Sequence, residues 1–329
     1  MCTAATYTTK NHYFGRNLDL EFSYHETVTV TPRRKVLPMR HTDALEEHYA
    51  MIGMAFVVED YPLYYDATNE KGLSMAGLNF PGNAHYNAPA DGHRNLASFE
   101  LIPWILGQCD TVEQARNLLA DVNLTDTAFS PQLPPSPLHW LIADQKESIV
   151  FEQTENGARI FDNPVGVMTN NPTFDYHMLH LQDYMNASAQ LPENRLVPGV
   201  GLEPYSRGMG GFGIPGDLSS ASRFVKVAFT KMNSLSGDSE EESVSQFFKI
   251  LGSVEQQKGC CRLGTDEDGN LLCEYTIYSS CCNMDRGIYY YTTYENSGIS
   301  CVDMHREDLD GDRMAVYELQ KEPRICRQN

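Results

Sequence analysis

No stretch of the chain approaches the ~18 consecutive apolar residues that a membrane-spanning helix requires. The opening Met-Cys-Thr-Ala-Ala-Thr-Tyr-Thr-Thr-Lys has neither the basic flank nor the apolar core of a secretory signal. Both absences predict a protein that stays in the cytoplasm where it is made, with no membrane partner. Basic residues are scarce: 25 Lys and Arg stand against 44 Asp and Glu, a net charge of −19. A field of that sign repels nucleic acid and anionic lipid, which makes both poor partners. An anionic substrate would have to be drawn in by particular arginines. No internal repeat or low-complexity linker divides the 329 residues, so one large domain over 1–329 is expected. The nine cysteines include no Cys-x-x-Cys pair, and no histidine lies between Cys260 and Cys282. That spacing does not favour zinc. An odd count of thiols without an export signal reads as free cysteines, and the five from Cys260 to Cys282 read as buried structural thiols. The acidic runs Asp266–Asn270 and Asp308–Asp312 carry Gly in fourth place, where a calcium-binding EF-hand loop needs it sixth. Both are expected to be turns, and no metal or organic cofactor is expected.

What is present is mostly β patterning. Thr3–Thr8 alternates, turns near Lys10-Asn11 and resumes at Tyr13–Leu18; Val28–Val30 and Met54–Val58 read as further strands. Asn95–Gln108 reads as a helix despite Pro103. Asp110 opens the next, with Glu113 as its capping-box partner and Val112, Ala115, Leu118 and Leu119 on one face. Beyond the Pro-rich stretch Ser130–Pro137, strands are expected at Leu138–Ala143, Ser148–Gln153, Ala158–Phe161 and Val165–Thr169. Helices are expected at Ala221–Met232 and Glu241–Gly252, and strands at Tyr275–Tyr278 and Ile288–Tyr294. Clustered strands with helices in separate blocks argue against a doubly wound parallel sheet. They predict an α+β fold of stacked antiparallel sheets covered by helices.

The chemistry concentrates at the start of the chain. Methionine before a residue as small as Cys2 is removable, which would leave Cys2 with a free α-amine. An α-amine has a pKa of about 7.7–8.0, so it accepts a proton near neutrality, and one residue would carry both nucleophile and base. If Lys10-Asn11 is a two-residue turn, paired residue numbers sum to 21, with Cys2 opposite Asp19 and Arg16 opposite Ala5. The turn lacks Asn-Gly, which leaves a one-residue slip open. On this hairpin Arg16 would favour the thiolate by its charge, while Asp19 would orient the amine by accepting its hydrogens. A surface ion pair is the plain alternative for these two, and an ordinary second residue is that for Cys2.

The opening Met-Cys-Thr, followed by Phe14-Gly15-Arg16-Asn17-Leu18-Asp19, resembles the choloylglycine hydrolase family, the bile salt hydrolases and penicillin V acylases among the N-terminal-nucleophile hydrolases. The similarity continues in order through Asn69-Glu70-Lys71-Gly72-Leu73, Gly77-Leu78-Asn79-Phe80-Pro81, Leu138-His139-Trp140, Met168-Thr169-Asn170-Asn171-Pro172, Ala221-Ser222-Arg223-Phe224 and Tyr291-Thr292-Thr293-Tyr294-Glu295-Asn296. The resemblance implies a four-layer αββα sandwich assembled as a homotetramer. It assigns catalysis to Cys2, Arg16, Asp19, Asn79, Asn170 and Arg223. An asparagine amide can donate to the tetrahedral oxyanion of amide cleavage, a role that suits Asn170. The backbone N–H of Asn79 is the implied second donor.

The implied substrate is a conjugated bile salt, whose rigid apolar steroid calls for an apolar pocket. Leu18, Tyr65, Phe129 and Leu133, placed by the same resemblance, are candidate walls. Bile salt hydrolases resemble this chain in having asparagine at Asn79, where typical penicillin V acylases have tyrosine. Penicillin V acylase activity stays open as an alternative. So does a different class, a non-catalytic acidic binding or thiol-redox protein in which Cys2 is dispensable.

Overall fold

The computed structural model describes all 329 residues. A hairpin of β1 (Cys2–Thr8) and β2 (His12–Leu20) opens the chain. It is followed by β3 (Thr27–Thr31), β4 (Met51–Val58), β5 (Tyr61–Asn69) and β6 (Ser74–Asn79). A short parallel pair, β7 (Arg94–Ala97) and β8 (Val122–Thr125), brackets α1 (Leu101–Gln108) and α2 (Val112–Leu119). Then come β9 (Leu138–Ala143), β10 (Ser148–Thr154), β11 (Gly157–Asp162), β12 (Val167–Met168) and α3 (Phe174–Leu181). The chain ends with α4 (Ser220–Asn233), α5 (Glu240–Gly252), β13 (Cys261–Thr265), β14 (Leu271–Asn283), β15 (Ile288–Thr293), β16 (Ser300–Asp303) and β17 (Ala315–Glu318).

The strands form two large antiparallel sheets. The first runs β12-β1-β2-β14-β15-β16, with β13 on β14, and the second runs β11-β10-β9-β6-β5-β4-β3-β17. Their facing sides meet in a core that holds Ala4, Leu18 and Tyr278 from the first sheet with Val28, Ile52, Leu78 and Leu141 from the second. The same core continues through the first sheet to Phe224, Val227, Phe247 and Ile250 of α4 and α5. On the outer side of the second sheet, Met51, Met75, Trp140 and Ile142 pack against Leu101, Ile105, Ala115 and Leu119 of α1 and α2. Apolar burial on both sides of each sheet, at roughly 25 cal/mol per Å², is what holds four layers together. The expected α+β, αββα arrangement is the one found.

Several local expectations are corrected. The first helix begins at Leu101, not Asn95, because Asn95–Ala97 pairs with β8 and Ser98–Glu100 is a 3-10 turn. The Glu100 carboxylate, buried in that turn, accepts from the Ala97 N–H at 2.8 Å. Pro103 does no harm because it sits in the first turn, where N–H groups have no helical partner. The cap of α2 is Thr111, whose hydroxyl accepts from the Gln114 N–H at 3.2 Å, and not Asp110. Of the five clustered cysteines only Cys281 and Cys282 are buried; Cys260 is exposed and Cys261 and Cys273 are half-buried.

The first hairpin has a three-residue connection, Thr9–Asn11, closed by Thr9 N–H donating to Asn11 O at 2.9 Å. Paired numbers therefore sum to 20: Cys2 faces Leu18 and Ala4 faces Arg16. This one-residue slip exchanges the faces of the sheet on which side chains meet.

Candidate active site

The register decides what surrounds Cys2. Directly paired residues share a face, so Cys2, Arg16 and Leu18 point between the two sheets. Asp19 does not share that face: its carboxylate accepts from Thr276 Oγ1 at 2.6 Å and Gln256 Nε2 at 3.3 Å on the helix side. Met1, not Cys2, lies opposite Asp19; its amine donates to Asp19 O at 2.7 Å, and Asp19 N–H donates to Met1 O at 3.0 Å. Asp19 thus holds the chain terminus through its backbone, with its carboxylate beneath.

Arg16 is fully buried, and its position rests on a defect in the facing sheet. In the β4–β5 ladder Met54 pairs with Asp66 and Ala55 with Tyr64, which leaves Tyr65 as the extra residue of a bulge. Arg16 Nη1 donates to Tyr65 O at 3.0 Å and to Gly77 O at 2.6 Å. Burial disfavours the guanidinium charge, but nearby Cys2, Tyr278 and Asp66 more than offset it, and its pKa is raised. Asp66 lies buried below, accepting from the hydroxyls of Tyr278, Tyr289 and Ser280 at 2.8, 2.7 and 3.2 Å. A second bulge, with Ile277 as its extra residue between the pairs Thr276–Asp19 and Tyr278–Leu18, sets Thr276 opposite Asp19, where its hydroxyl holds the Asp19 side chain. Burial raises the pKa of Asp19 against the pull of Arg223.

Asn170 leaves the end of β12 and closes the other side. Its Oδ1 accepts from Cys2 N–H at 2.8 Å and from Arg223 Nη2 at 2.7 Å, and its Nδ2 donates to Asn79 O at 2.7 Å. These partners fix the amide orientation: two donors face the oxygen and one carbonyl faces the nitrogen. The second Nδ2 hydrogen is left for another acceptor. In the β6–β9 pair, Phe80 N–H donates to Pro137 O, so Asn79 sits at a non-hydrogen-bonded position opposite Leu138. Its N–H and C=O therefore both point away from β9, and the C=O meets Asn170 Nδ2. Arg223 on α4 donates from Nη1 to Cys2 O and to Thr3 Oγ1, and from Nε to Leu218 O at 2.9 Å. Burial lowers its pKa against Asp19 and Cys2.

Cys2, Arg16, Leu18, Asn79, Asn170 and Arg223 are thus brought together, with Asp19 directly behind. Tyr65 packs against the core cluster that contains Cys2 and Leu18. Phe129 and Leu133 lie on a separate loop, where Phe129 N–H donates to Leu133 O at 3.1 Å. The Phe129 ring packs on Tyr61 and Phe99 under the guanidinium of Arg40. Sequence reasoning missed Glu274, whose buried carboxylate contacts the Met1 amine. Its only signal was a lone charged residue in an otherwise uncharged strand. Burial lowers the pKa of that amine, against the influence of Cys2 and Asp19. No group of three or more His, Cys, Asp or Glu side chains is arranged to hold a metal ion.

A four-layer sandwich with a cysteine heading the first strand of an inner sheet has the fold of the N-terminal-nucleophile hydrolases. Residues 2–317 match the linear amide C–N hydrolases of the choloylglycine hydrolase family. The chain is 55% identical over 322 residues, 98% of both chains, to a bile salt hydrolase/transferase of Lactiplantibacillus plantarum. It is 38% identical over 98% of both chains to a bile salt hydrolase/transferase of Clostridium perfringens. The crystal structure of a C2A mutant of conjugated bile acid hydrolase from Clostridium perfringens superposes with a TM-score of 0.90 at 34% identity, covering 100% of both chains. A penicillin V acylase of Agrobacterium tumefaciens shares the fold, with a TM-score of 0.71 at 20% identity over 96% of this chain and 90% of that one. This protein belongs to the choloylglycine hydrolase family and is a hydrolase of linear amide C–N bonds, which sets aside the non-catalytic binding and redox alternative. No helix is long and apolar enough to cross a membrane.

Proposed function

We propose that the protein hydrolyses the amide bond of conjugated bile salts, with Cys2 as nucleophile once Met1 is removed. The observation that carries the reading is the meeting of Cys2 with Asn170 and Arg223 on the face that holds Arg16, in a chain 55% identical to a bile salt hydrolase/transferase. With Met1 attached, Cys2 is 2% exposed and its nitrogen is a peptide N–H. Removal of Met1 turns that nitrogen into an α-amine in a water-poor setting, where burial favours the neutral, proton-accepting form.

In the first stage the Cys2 amine takes the thiol proton as sulfur attacks the substrate carbonyl. Charge gathers on the carbonyl oxygen, which the free Nδ2 hydrogen of Asn170 and the Asn79 N–H receive. The C–N bond breaks, the amine proton passes to the departing glycine or taurine nitrogen, and a thioester remains on Cys2. In the second stage the amine takes a proton from water as its oxygen attacks the thioester. The C–S bond breaks, the proton returns to sulfur, and the bile acid leaves. Arg16 sustains the thiolate, Arg223 holds the Cys2 carbonyl, and Asp19, whose backbone partners leave with Met1, orients the new α-amine. Besides substrate and water, the steps use only groups of the chain itself.

Leu18 and Tyr65, with Phe129 and Leu133 further out, are the proposed walls for the steroid. A cytoplasmic homotetramer is part of the same reading, checked by light scattering and cell fractionation. Cys2→Ala is expected to abolish release of glycine from glycocholate and taurine from taurocholate without lowering the melting temperature. Turnover that survives the substitution refutes the assignment, and penicillin V run alongside measures the acylase alternative.

A further inference from the structure

Two histidines outside the catalytic set face the peptide that carries Asn170. His139 Nε2 lies 2.9 Å from Thr169 O, and His177 Nε2 lies 2.8 Å from Asn170 O. Both rings are about 1% exposed. Thr169 and Asn170 lie past the end of β12, so their carbonyls must find partners outside the ladder. A carbonyl oxygen has no hydrogen to give, so each imidazole must carry its proton on Nε2. For His177 the other nitrogen has no partner, and burial lowers the pKa to about 4, which keeps the ring neutral.

His139 differs, because its Nδ1 lies 3.0 Å from Glu152 Oε1, and both side chains are 1% exposed. That oxygen also accepts from Phe174 N–H at 3.0 Å. With Nε2 already protonated, the short Nδ1–Oε1 contact needs one shared proton, so the pair is neutral overall whichever partner holds it. The His139 ring also stacks on Phe80, with centroids 4.1 Å apart and planes 7° from parallel. Phe80 follows Asn79, and Thr169 precedes Asn170. One ring therefore braces the chain beside both groups that receive the oxyanion.

We propose that His139, steadied by Glu152, is a positioning residue that sets the spacing of the oxyanion hole by bracing Phe80 and Thr169 together. The inference rests on the reading of Asn79 and Asn170 as oxyanion donors. His139 touches neither substrate nor Cys2, so its influence is confined to the step in which negative charge develops on oxygen.

The test uses the processed full-length enzyme. His139→Gln can still donate to Thr169 O but loses the stack and the Glu152 contact. It is expected to lower kcat about 10²-fold, the scale of one misplaced oxyanion donor, with KM within about threefold. Alkylation of Cys2 by iodoacetamide should proceed at the wild-type rate, since attack at a saturated carbon creates no oxyanion. A kcat within about threefold of wild type, or alkylation that slows in step with kcat, overturns the inference. If His139→Gln does not fold, Glu152 decides. Glu152→Gln can keep only one of the two contacts that Oε1 makes, to Nδ1 or to Phe174 N–H, and should lower kcat less than Glu152→Ala, which keeps neither and should lose at least about tenfold. Equal activity of the two Glu152 variants also overturns it. Asn170→Ala run in parallel separates the two readings: if it leaves kcat intact, the oxyanion assignment itself fails, whereas an intact His139→Gln beside a crippled Asn170→Ala removes only the bracing role.

Discussion

Replacing Asn170 with alanine removes three bonds at once: those from Cys2 N–H at 2.8 Å and Arg223 Nη2 at 2.7 Å, and that to Asn79 O at 2.7 Å. It also removes the amide hydrogen aimed at the developing oxyanion. Loss of one such donor costs about 10²–10³ in kcat, roughly 3–4 kcal/mol of transition-state stabilisation. The fold should suffer as well. Arg223, fully buried, keeps its bonds to Leu218 O, Cys2 O and Thr3 Oγ1 and loses a partner only at Nη2, while the Cys2 nitrogen loses its acceptor and Asn79 O its donor. Each orphaned buried donor corresponds to about 1–3 kcal/mol of stability. Asn170→Asp sharpens the test because it changes the sign of one contact. A carboxylate would pair well with Arg223, but its second oxygen would face Asn79 O and the oxyanion. Asn170→Asp should therefore melt above Asn170→Ala yet turn over more slowly. Initial rates of glycine or taurine release, with thermal unfolding followed by circular dichroism, measure both quantities. An Asn170→Ala enzyme within about tenfold of wild type, or an aspartate variant faster than the alanine one, refutes the oxyanion role.

Gly15→Ala should destabilise the fold by about 1–3 kcal/mol in urea unfolding, an overpacking cost, because a Cβ there would lie 2.0 Å from Ser280 O and 2.9 Å from Cys281 Cα. Arg223→Lys should lower kcat while sparing the fold more than Arg223→Ala, since an ammonium cannot span Leu218, Thr3 and Asn170 as the planar fork does. Steady-state kinetics beside melting curves check both halves. His177 is held neutral down to about 4 by burial. The unfolded chain takes up a proton there below about pH 6.5 while the native protein does not, so stability falls as pH drops from ~6.5 to ~4, by roughly 3 kcal/mol from this group. His177→Gln should flatten that part of the melting-temperature profile, and an unchanged slope refutes the assignment.

The resemblance of particular blocks made the family legible before any geometry, but the blocks do not all serve chemistry. Asn69, in one of them, uses its side chain to hold the β5–β6 turn, accepting from Lys71 and Leu73 N–H at 3.0 Å and donating to Leu106 O and Cys109 O at 2.7 Å. His139, in another, braces a backbone. From residue types alone, a structural asparagine and a catalytic one look the same.

Cys2 at the head of the first strand, the α+β layering and the clustering of Arg16 and Asp19 on one hairpin were all readable from the chain, because they depend on local order and periodicity. Which of those two residues shares a face with the thiol was not. A three-residue turn in place of a two-residue one shifts the pairing by a single position, and strand periodicity converts that shift into a change of face. The bulge that frees Tyr65 O for Arg16, and the burial of Glu274 against the terminus, depend on strands distant in sequence. Only their packing decides where unpaired carbonyls and carboxylates come to lie, because every buried polar group must be matched by whatever the fold brings next to it.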